Sequence, residues 1–301
     1  DMKFISFFIK QKLEMASQQK QTSFFDKSFS DAKTSEYHLY LQLSKSGLSY
    51  TIFNTQTNTY IGFENFLFND VYNDYSILNP LTQVIEQTPL FKKTFSKFVV
   101  SYVNNRSTLI PKPLYKADEL KKYHLFNFAE QEEDVHLSDF VLNLSAYNIY
   151  SIPDFIVNTF KNIDNITFHH FSTALIEASL LHAKKSTALS LIDVHVLPQS
   201  FQIISIKNQT LELYNSFNYQ TSEDFIYYLL FVLNQLNTKG NEATIRLTGE
   251  VDKNSAIYDM LYKYIQTIEF CETPNELNYS YVFEQTPKHY HYALFNQFLC
   301  E

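Results

Sequence analysis

The chain has 301 residues, 45% of them hydrophobic and 19% charged, enough for two folded units and too apolar for a disordered chain. Its formal net charge of −8 at pH 7 argues against a nucleic-acid partner, because neutralising phosphates needs a basic face. Cys271 and Cys300 are the only cysteines, which excludes a disulfide framework and a cysteine metal site.

The 22 Tyr and 28 Phe, with no Trp and 4 Gly, read as the codon bias of an AT-rich genome rather than as a binding surface. Gly47, Gly62, Gly240 and Gly249 are left as the positions where a backbone can approach a ligand closely. No apolar run reaches transmembrane length, so membrane insertion is not expected and the cytoplasm is the expected location.

In chain order, residues 4–9 are apolar, but too short for a secretory core and broken by Lys10, Lys12 and Glu14. Residues 1–21 read as a flexible or appended segment, and the Gln/Ser/Lys-rich stretch to residue 35 as flexible too. Alternation predicts strands over 37–43, 48–54 and 60–66, then a helix over 79–88 and a strand over 98–103. Pro111 and Pro113 mark a loop, 117–123 a brief helix, and the acidic run 130–134 a solvated loop. A hairpin over 135–143 and 146–152, helix 153–160, strand 166–171 and helix 173–182 complete a first lobe, residues 22–185. The second lobe, 186–301, repeats the scheme. Its strands are 188–194, 200–206, 210–217, 243–248 and 268–271. Its helices are 221–236, 255–265 and 288–299. Strand meanders interleaved with helices are an α/β pattern with mixed sheets.

Residues 39–66 and 190–217 align without a gap at an offset of 151, near half the chain. The identities are Ser49/Ser200, Ile52/Ile203, Thr59/Thr210 and Phe66/Phe217. Apolar positions also coincide, and each copy is followed by a helix and then a strand.

A duplicated meander with a strand–Gly–helix segment late in the second half resembles the actin-like ATPase fold, two duplicated ribonuclease H-like lobes with flanking helices. The stretches LYNSFNYQTSEDFIYYLLFVLNQL, LTGEVDKNSAIYDMLYKYI and LFNQFLCE resemble domain of unknown function family 3822, over about residues 22–301. That family is similar to the actin-like pilus-assembly and cell-division proteins and has no assigned activity.

The resemblance implies an Asp-x-Gly turn after the first strand of each lobe, the Asp orienting Mg²⁺ and backbone N–H groups holding phosphates. In the gapless alignment the first lobe has Gln42 and Ser44 there, with Gly47 beyond. The second keeps Asp193 but has His195 at the Gly position. The expected adenosine-binding Gly-Gly turn is Gly249-Glu250, and an acidic-Pro pair is replaced by Ser172-Thr173, with Glu177 a helix-face residue. These seven positions, Gln42, Ser44, Gly47, Asp193, His195, Gly249 and Glu250, define a degenerate nucleotide cleft, with Gln42 and Asp193 expected at matching strand ends. No cofactor or metal is predicted beyond weak binding of Mg-ATP, and no catalytic residue is assigned.

His169 and His170, adjacent in a strand, should point to opposite faces. Asp193-x-His195 offers a second reading, a metal or acid–base pair on one face. Three functions stand open at this point: a non-catalytic scaffold or adaptor with a protein partner, an ATP-binding enzyme with altered loops, and a partner-binding module using the aromatic C-terminal helix.

Overall fold

A computed structural model describes residues 17–131, 133–240, 243–272 and 277–300. The chain forms two compact units. One takes in the chain as far as Phe140, Ala146–Phe171 and 277–285; the other takes in Val141–Ser145, 172–272 and 286–300. The chain thus makes a short excursion into the second unit at Val141–Ser145, crosses again at Phe171–Ser172 rather than at the expected 185/186 boundary, and returns to the first unit a second time for 277–285.

The first unit contains β1 (Ser17–Phe25), β2 (Tyr37–Ser44), β3 (Gly47–Asn54), β4 (Thr59–Asn69), helix α1 (Leu78–Gln87), β5 (Lys97–Tyr102) and β6 (Ser107–Pro111). Helix α2 (Leu120–Asn127), β7 (Asp134–Val141), β8 (Ala146–Pro153), helix α3 (Asp154–Phe160) and β9 (Ile166–His170) follow. Its main sheet runs β1-β4-β3-β2-β5-β9, and β6-β8-β7 form a smaller sheet. Strands β2, β5 and β9 are mutually parallel. Leu39, Leu41, Leu43, Phe98, Val100 and Tyr102 point to one face of this sheet and pack with Leu81 and Val84 of α1 and with Ile156 and Phe160 of α3.

Helix α4 (Phe171–Lys185) leads into the second unit, with β10 (Ser190–Val196), β11 (Ser200–Lys207), β12 (Thr210–Asn218), helix α5 (Ser222–Gln235), β13 (Thr244–Gly249), helix α6 (Ala256–Tyr264) and β14 (Thr267–Phe270). The sheet order is β12-β11-β10-β13-β14. Thr221 caps α5 reciprocally with Asp224, fixing the turn out of β12. Ile192, Val194, Phe201, Ile203, Ile245 and Leu247 pack beneath α5 and α6 through Phe225, Leu229 and Leu261. Strand β15 (Asn278–Tyr279) then pairs with β4 of the first unit, and helix α7 (Tyr292–Phe295) ends the second.

Two expectations change. Residues 17–25 form a strand rather than a flexible segment, held by an antiparallel ladder to β4. The long C-terminal helix is reduced to α7 and a 3₁₀ turn over Gln297–Cys300. Tyr292, Ala293, Leu294 and Phe295 are buried. The expectations for 1–14 lie outside the described residues.

The ladders correct the repeat. Tyr37–Ser44 pairs with Gly47–Asn54 in the first unit. In the second, Ser190↔Lys207 runs to Val196↔Phe201, and Leu197 N–H reaches Ser200 O at 2.8 Å. Superposing the two hairpins by register matches Ser44 with Leu197 and Gly47 with Ser200, two residues away from the gapless alignment. Beyond the hairpins the alignment holds. Thr59 and Thr210 both start the third strand, and each copy has a bulge at the same place, between Ile52 and Phe53 and between Ser205 and Ile206. The two residues are taken up by the loop before the third strand, Thr55–Asn58 in one unit and Asn208–Gln209 in the other.

Candidate functional site

In open α/β sheets, ligands gather outside the carboxyl ends of the parallel strands. In the first unit, register sets Gln42 beside Ser101 and Ser101 beside His169, so three polar side chains form a row on one face. Ser101 is buried, and its Oγ and Gln42 Oε1 have no hydrogen-bond partner among the described residues. His169 is oriented from its other ring nitrogen, where Nδ1–H donates to Asp139 Oδ1 at 3.0 Å. Asp139 also accepts from Tyr150 OH at 3.0 Å and from the His170 backbone N–H at 2.8 Å. The His170 ring, on the opposite face as expected, donates from Nε2 to Asn104 O and Oδ1, both at 3.1 Å. Burial pushes this imidazole down to about 4, so it is neutral at pH 7. The hairpin turn itself is closed: Ser44 Oγ donates to Gly47 O at 3.2 Å and hydrogen-bonds Ser46 Oγ at 2.9 Å.

The second unit has the same row one copy on. His195 lies beside Thr248 in register, as Gln42 lies beside Ser101, and His195 Nδ1 bonds Thr248 Oγ1 at 2.9 Å. Burial pushes the His195 imidazole down to about 3. The register correction matters here, because the counterpart of Gln42 is His195, and the counterpart of Asp193 is Tyr40. Asp193 is engaged elsewhere. Its Oδ1 lies 3.3 Å from Arg246 Nη1, and its Oδ2 accepts from Ser179 Oγ of α4 at 2.6 Å. Burial pushes the Asp193 carboxyl up, against the pull of Arg246 and Ser179. Arg246 Nη2 donates to Cys271 Sγ at 3.2 Å, and burial pushes that thiol up to about 12, leaving it protonated and inert. Asp193 is thus the counter-ion of a buried arginine, not a strand-end acid. Asp193 and His195 share a face, as the second reading requires, but each is committed to a different partner. Among the described residues no group of three His, Cys, Asp or Glu side chains could hold a metal ion.

The Gly249-Glu250 turn ends β13. Gly249 has φ +86°, and a Cβ there would meet the Val196 carbonyl. Its N–H donates to His289 O at 2.7 Å; Glu250 N–H donates to Val196 O at 2.7 Å; Val251 N–H donates to Gly249 O at 3.0 Å. His289 Nε2–H returns to Val251 O at 2.7 Å. The donors a phosphate or adenosine would use are already given to the chain's own carbonyls. The Glu250 side chain is exposed. Glu177 is buried and accepts from Asn143 Nδ2 at 2.5 Å, fastening the β7–β8 turn to α4. Ser172 and Thr173 are buried at the start of α4.

The structure therefore groups Gln42 with Ser101 and His169, and His195 with Thr248, while Gly249 lies beside Val196. Ser101 and Asp139 were not singled out from sequence. The only signal was a serine breaking the apolar run FVVSYV and a lone acid in LSDFV.

The model of the family described as Protein of unknown function (DUF3822) matches residues 26–268, and the chain belongs to that family. No curated protein matches the chain. Among solved structures, a Bacteroides thetaiotaomicron protein with an actin-like ATPase fold and unknown function is 20% identical, with TM-score 0.71, covering 83% of this chain and 95% of its own. A PilM–PilN type IV pilus biogenesis complex contains a chain 10% identical, with TM-score 0.57, covering 88% of this chain and 98% of its own. The fold is the actin-like ATPase fold.

Proposed function

We propose that this DUF3822 member is a non-catalytic, cytoplasmic actin-like scaffold or adaptor whose nucleotide site is degenerate. The observation that carries this reading is that neither copy of the hairpin has a carboxylate at the Asp position. Gln42 stands in one and His195 in the other, and the nearby Asp193 is drawn to Arg246. Mg²⁺ requires oxygen ligands and rarely binds without a carboxylate or substrate phosphates to hold it. A buried imidazole held neutral supplies neither charge nor oxygen. The Gly position in the second copy is Leu197, followed by Pro198, which removes the close backbone approach as well. The PilM neighbour, solved in a complex with PilN, favours a protein partner as what such a scaffold carries.

The test is thermal denaturation and ATP turnover with Mg-ATP at millimolar concentration. A ligand of the native state alone would raise the transition by mass action. The expected result is no shift and no turnover. Turnover abolished by Gln42→Ala and by His195→Ala would replace this reading with an enzyme.

That second reading, an ATP-binding enzyme with altered loops, is favoured by one feature. Among the described residues Gln42 Oε1 and Ser101 Oγ lack partners beside an Asp-oriented histidine, and unpaired buried polar atoms are costly unless they serve a ligand. It predicts a thermal shift with Mg-ATP that Ser101→Ala reduces.

A further inference from the structure

The small sheet β6-β8-β7 and its helix are held at their centre by a histidine. None of the residues of β6 is buried, and in α2 His124 alone is. A leucine would fill that place with no polar atom to satisfy. One nitrogen of the His124 ring is fixed, because Nε2–H donates to Arg106 O at 3.2 Å. A carbonyl only accepts, so Nε2 carries the proton and Nδ1 keeps a bare lone pair. That Nδ1 is buried and has no hydrogen-bond partner among the described residues, a costly arrangement unless something binds it. A second imidazole stands beside it. His136 of β7 lies 4.9 Å away between ring centroids, with the two planes at 73°. It is half-buried, and among the described residues its ring nitrogens have no hydrogen-bond partner. Burial, reinforced by the Arg106 charge, pushes His124 down to about 4, and burial lowers His136 as well. Both rings are therefore neutral at pH 7, the form in which imidazole ligates a metal.

We propose that His124 Nδ1 and the His136 ring bind one divalent transition-metal ion of the zinc or copper class, tying α2 to β7. The donors decide the class, since imidazole suits zinc and copper whereas Mg²⁺ and Ca²⁺ take oxygen ligands. Metal–nitrogen bonds of about 2 Å place two imidazoles on one tetrahedral ion with centroids about 5 Å apart, the separation these rings have. The Arg106 carbonyl acts as outer partners of ligating histidines do, fixing the tautomer and the ring plane. Neighbouring cations raise no barrier, because Arg106 pairs with Asp134 at 2.8 Å and Lys121 with Glu130 at 2.5 Å. Two protein ligands leave the other positions to water, as no third His, Cys, Asp or Glu joins the pair among the described residues. A small sheet with so little apolar filling gains from such a staple, because the free energy of metal binding adds to that of folding.

The site shares no residue with the nucleotide cleft, so it stands whether or not a nucleotide binds. The measurement is calorimetric titration of the chelator-treated full chain with ZnCl₂, together with its thermal transition, and MgCl₂ is the control. The expected result is one equivalent of zinc bound and a transition raised by zinc but not by magnesium. His136→Gln should weaken the binding at least about tenfold. A wild-type chain that binds no zinc at millimolar concentration overturns the proposal, and a His136 N–H turned onto Nδ1 then satisfies the lone pair. Zinc binding that His136→Gln leaves unchanged also overturns it, since that ion sits elsewhere. Should the variant lose its fold, electron paramagnetic resonance of the wild type with one equivalent of Cu²⁺ decides: splitting from two imidazole nitrogens supports the pair, and splitting from fewer rejects it.

Discussion

Gly249 gives its backbone N–H to the carbonyl of His289 at 2.7 Å, closing the end of a central strand with a residue from the C-terminal segment. The bond exists because Gly249 turns at φ +86° directly against the Val196 carbonyl, a conformation and a space closed to a side chain. Gly249→Ala should therefore lower the unfolding free energy by about 1–3 kcal/mol, the cost of a residue held in a sparsely populated backbone region. Urea denaturation of the full chain measures it. A loss under about 0.5 kcal/mol, the size of an ordinary surface substitution, would show that the turn relaxes.

The C-terminal aromatics are interior residues. Leu294 and Phe295 are 0% and 2% accessible, so Phe295→Ala should cost about 3–5 kcal/mol through the cavity it leaves. Removing 286–301 should abolish cooperative unfolding of the second unit. A truncated chain with a wild-type thermal transition would restore these residues as a docking element.

Asp193 and Arg246 behave as one buried unit. Arg246→Met alone strands a carboxylate in the core and should cost about 3–5 kcal/mol. Adding Asp193→Leu should recover most of that loss, because well-packed apolar replacements of a buried pair are often neutral. A double-mutant cycle in denaturant tests the coupling, and additive single effects would mean that the two side chains do not depend on each other.

Acid should destabilise the fold well before its exposed carboxylates titrate. His170 and His195 have folded pKa values of about 4 and about 3, below the ordinary value near 6.5. Below about pH 6.5 the unfolded chain binds protons that the folded chain refuses. Stability is thus complete above that pH and falls by about 1.4 kcal/mol per unit per histidine as pH drops towards the folded values. Asp193 opposes this, since its folded pKa, raised by burial, gives stability that is lost as pH rises through that raised value. Denaturation midpoints at pH 7 and pH 5 measure the sum, with His195→Gln flattening the slope. Equal midpoints would show that neither ring is held neutral.

Most of the fold was legible because alternation is strong in β2, β3, β10 and β11, whose apolar residues face a core on at least one side. What misled was the same periodicity. A slip of two residues leaves every side chain on its original face, so apolar pattern cannot distinguish Asp193 from His195 as the partner of Gln42. The identities Thr59/Thr210 and Phe66/Phe217 anchored the alignment correctly on the third strand. Ser49/Ser200 and Ile52/Ile203 were coincidences created by the shorter Asn208–Gln209 loop. That loop has φ of 50° and 63° at its two residues, the tight hairpin geometry usually signalled by Asn-Gly; here Gln stands in the second place and conceals it. Strand β1 was illegible for a different reason. SQQKQTSFF turns mainly polar residues to solvent, and its place is set by a ladder to β4 that local sequence does not encode. Likewise the row Gln42–Ser101–His169 exists only through parallel register between strands distant in sequence.

The first sheet is finished by residues that follow the second unit's sheet in the chain. Asn278 and Tyr279 pair with Thr59 and Tyr60, Ser280 Oγ donates to Asp26, and Phe283 meets Phe24 edge-on at 5.0 Å. The first unit therefore gains its last strand pairing and ring contacts from a segment beyond the second unit's sheet. A chain lacking residues from 278 on leaves Phe24 and Tyr60 without these contacts, so completion of the first unit is coupled to a segment that follows the second unit's sheet.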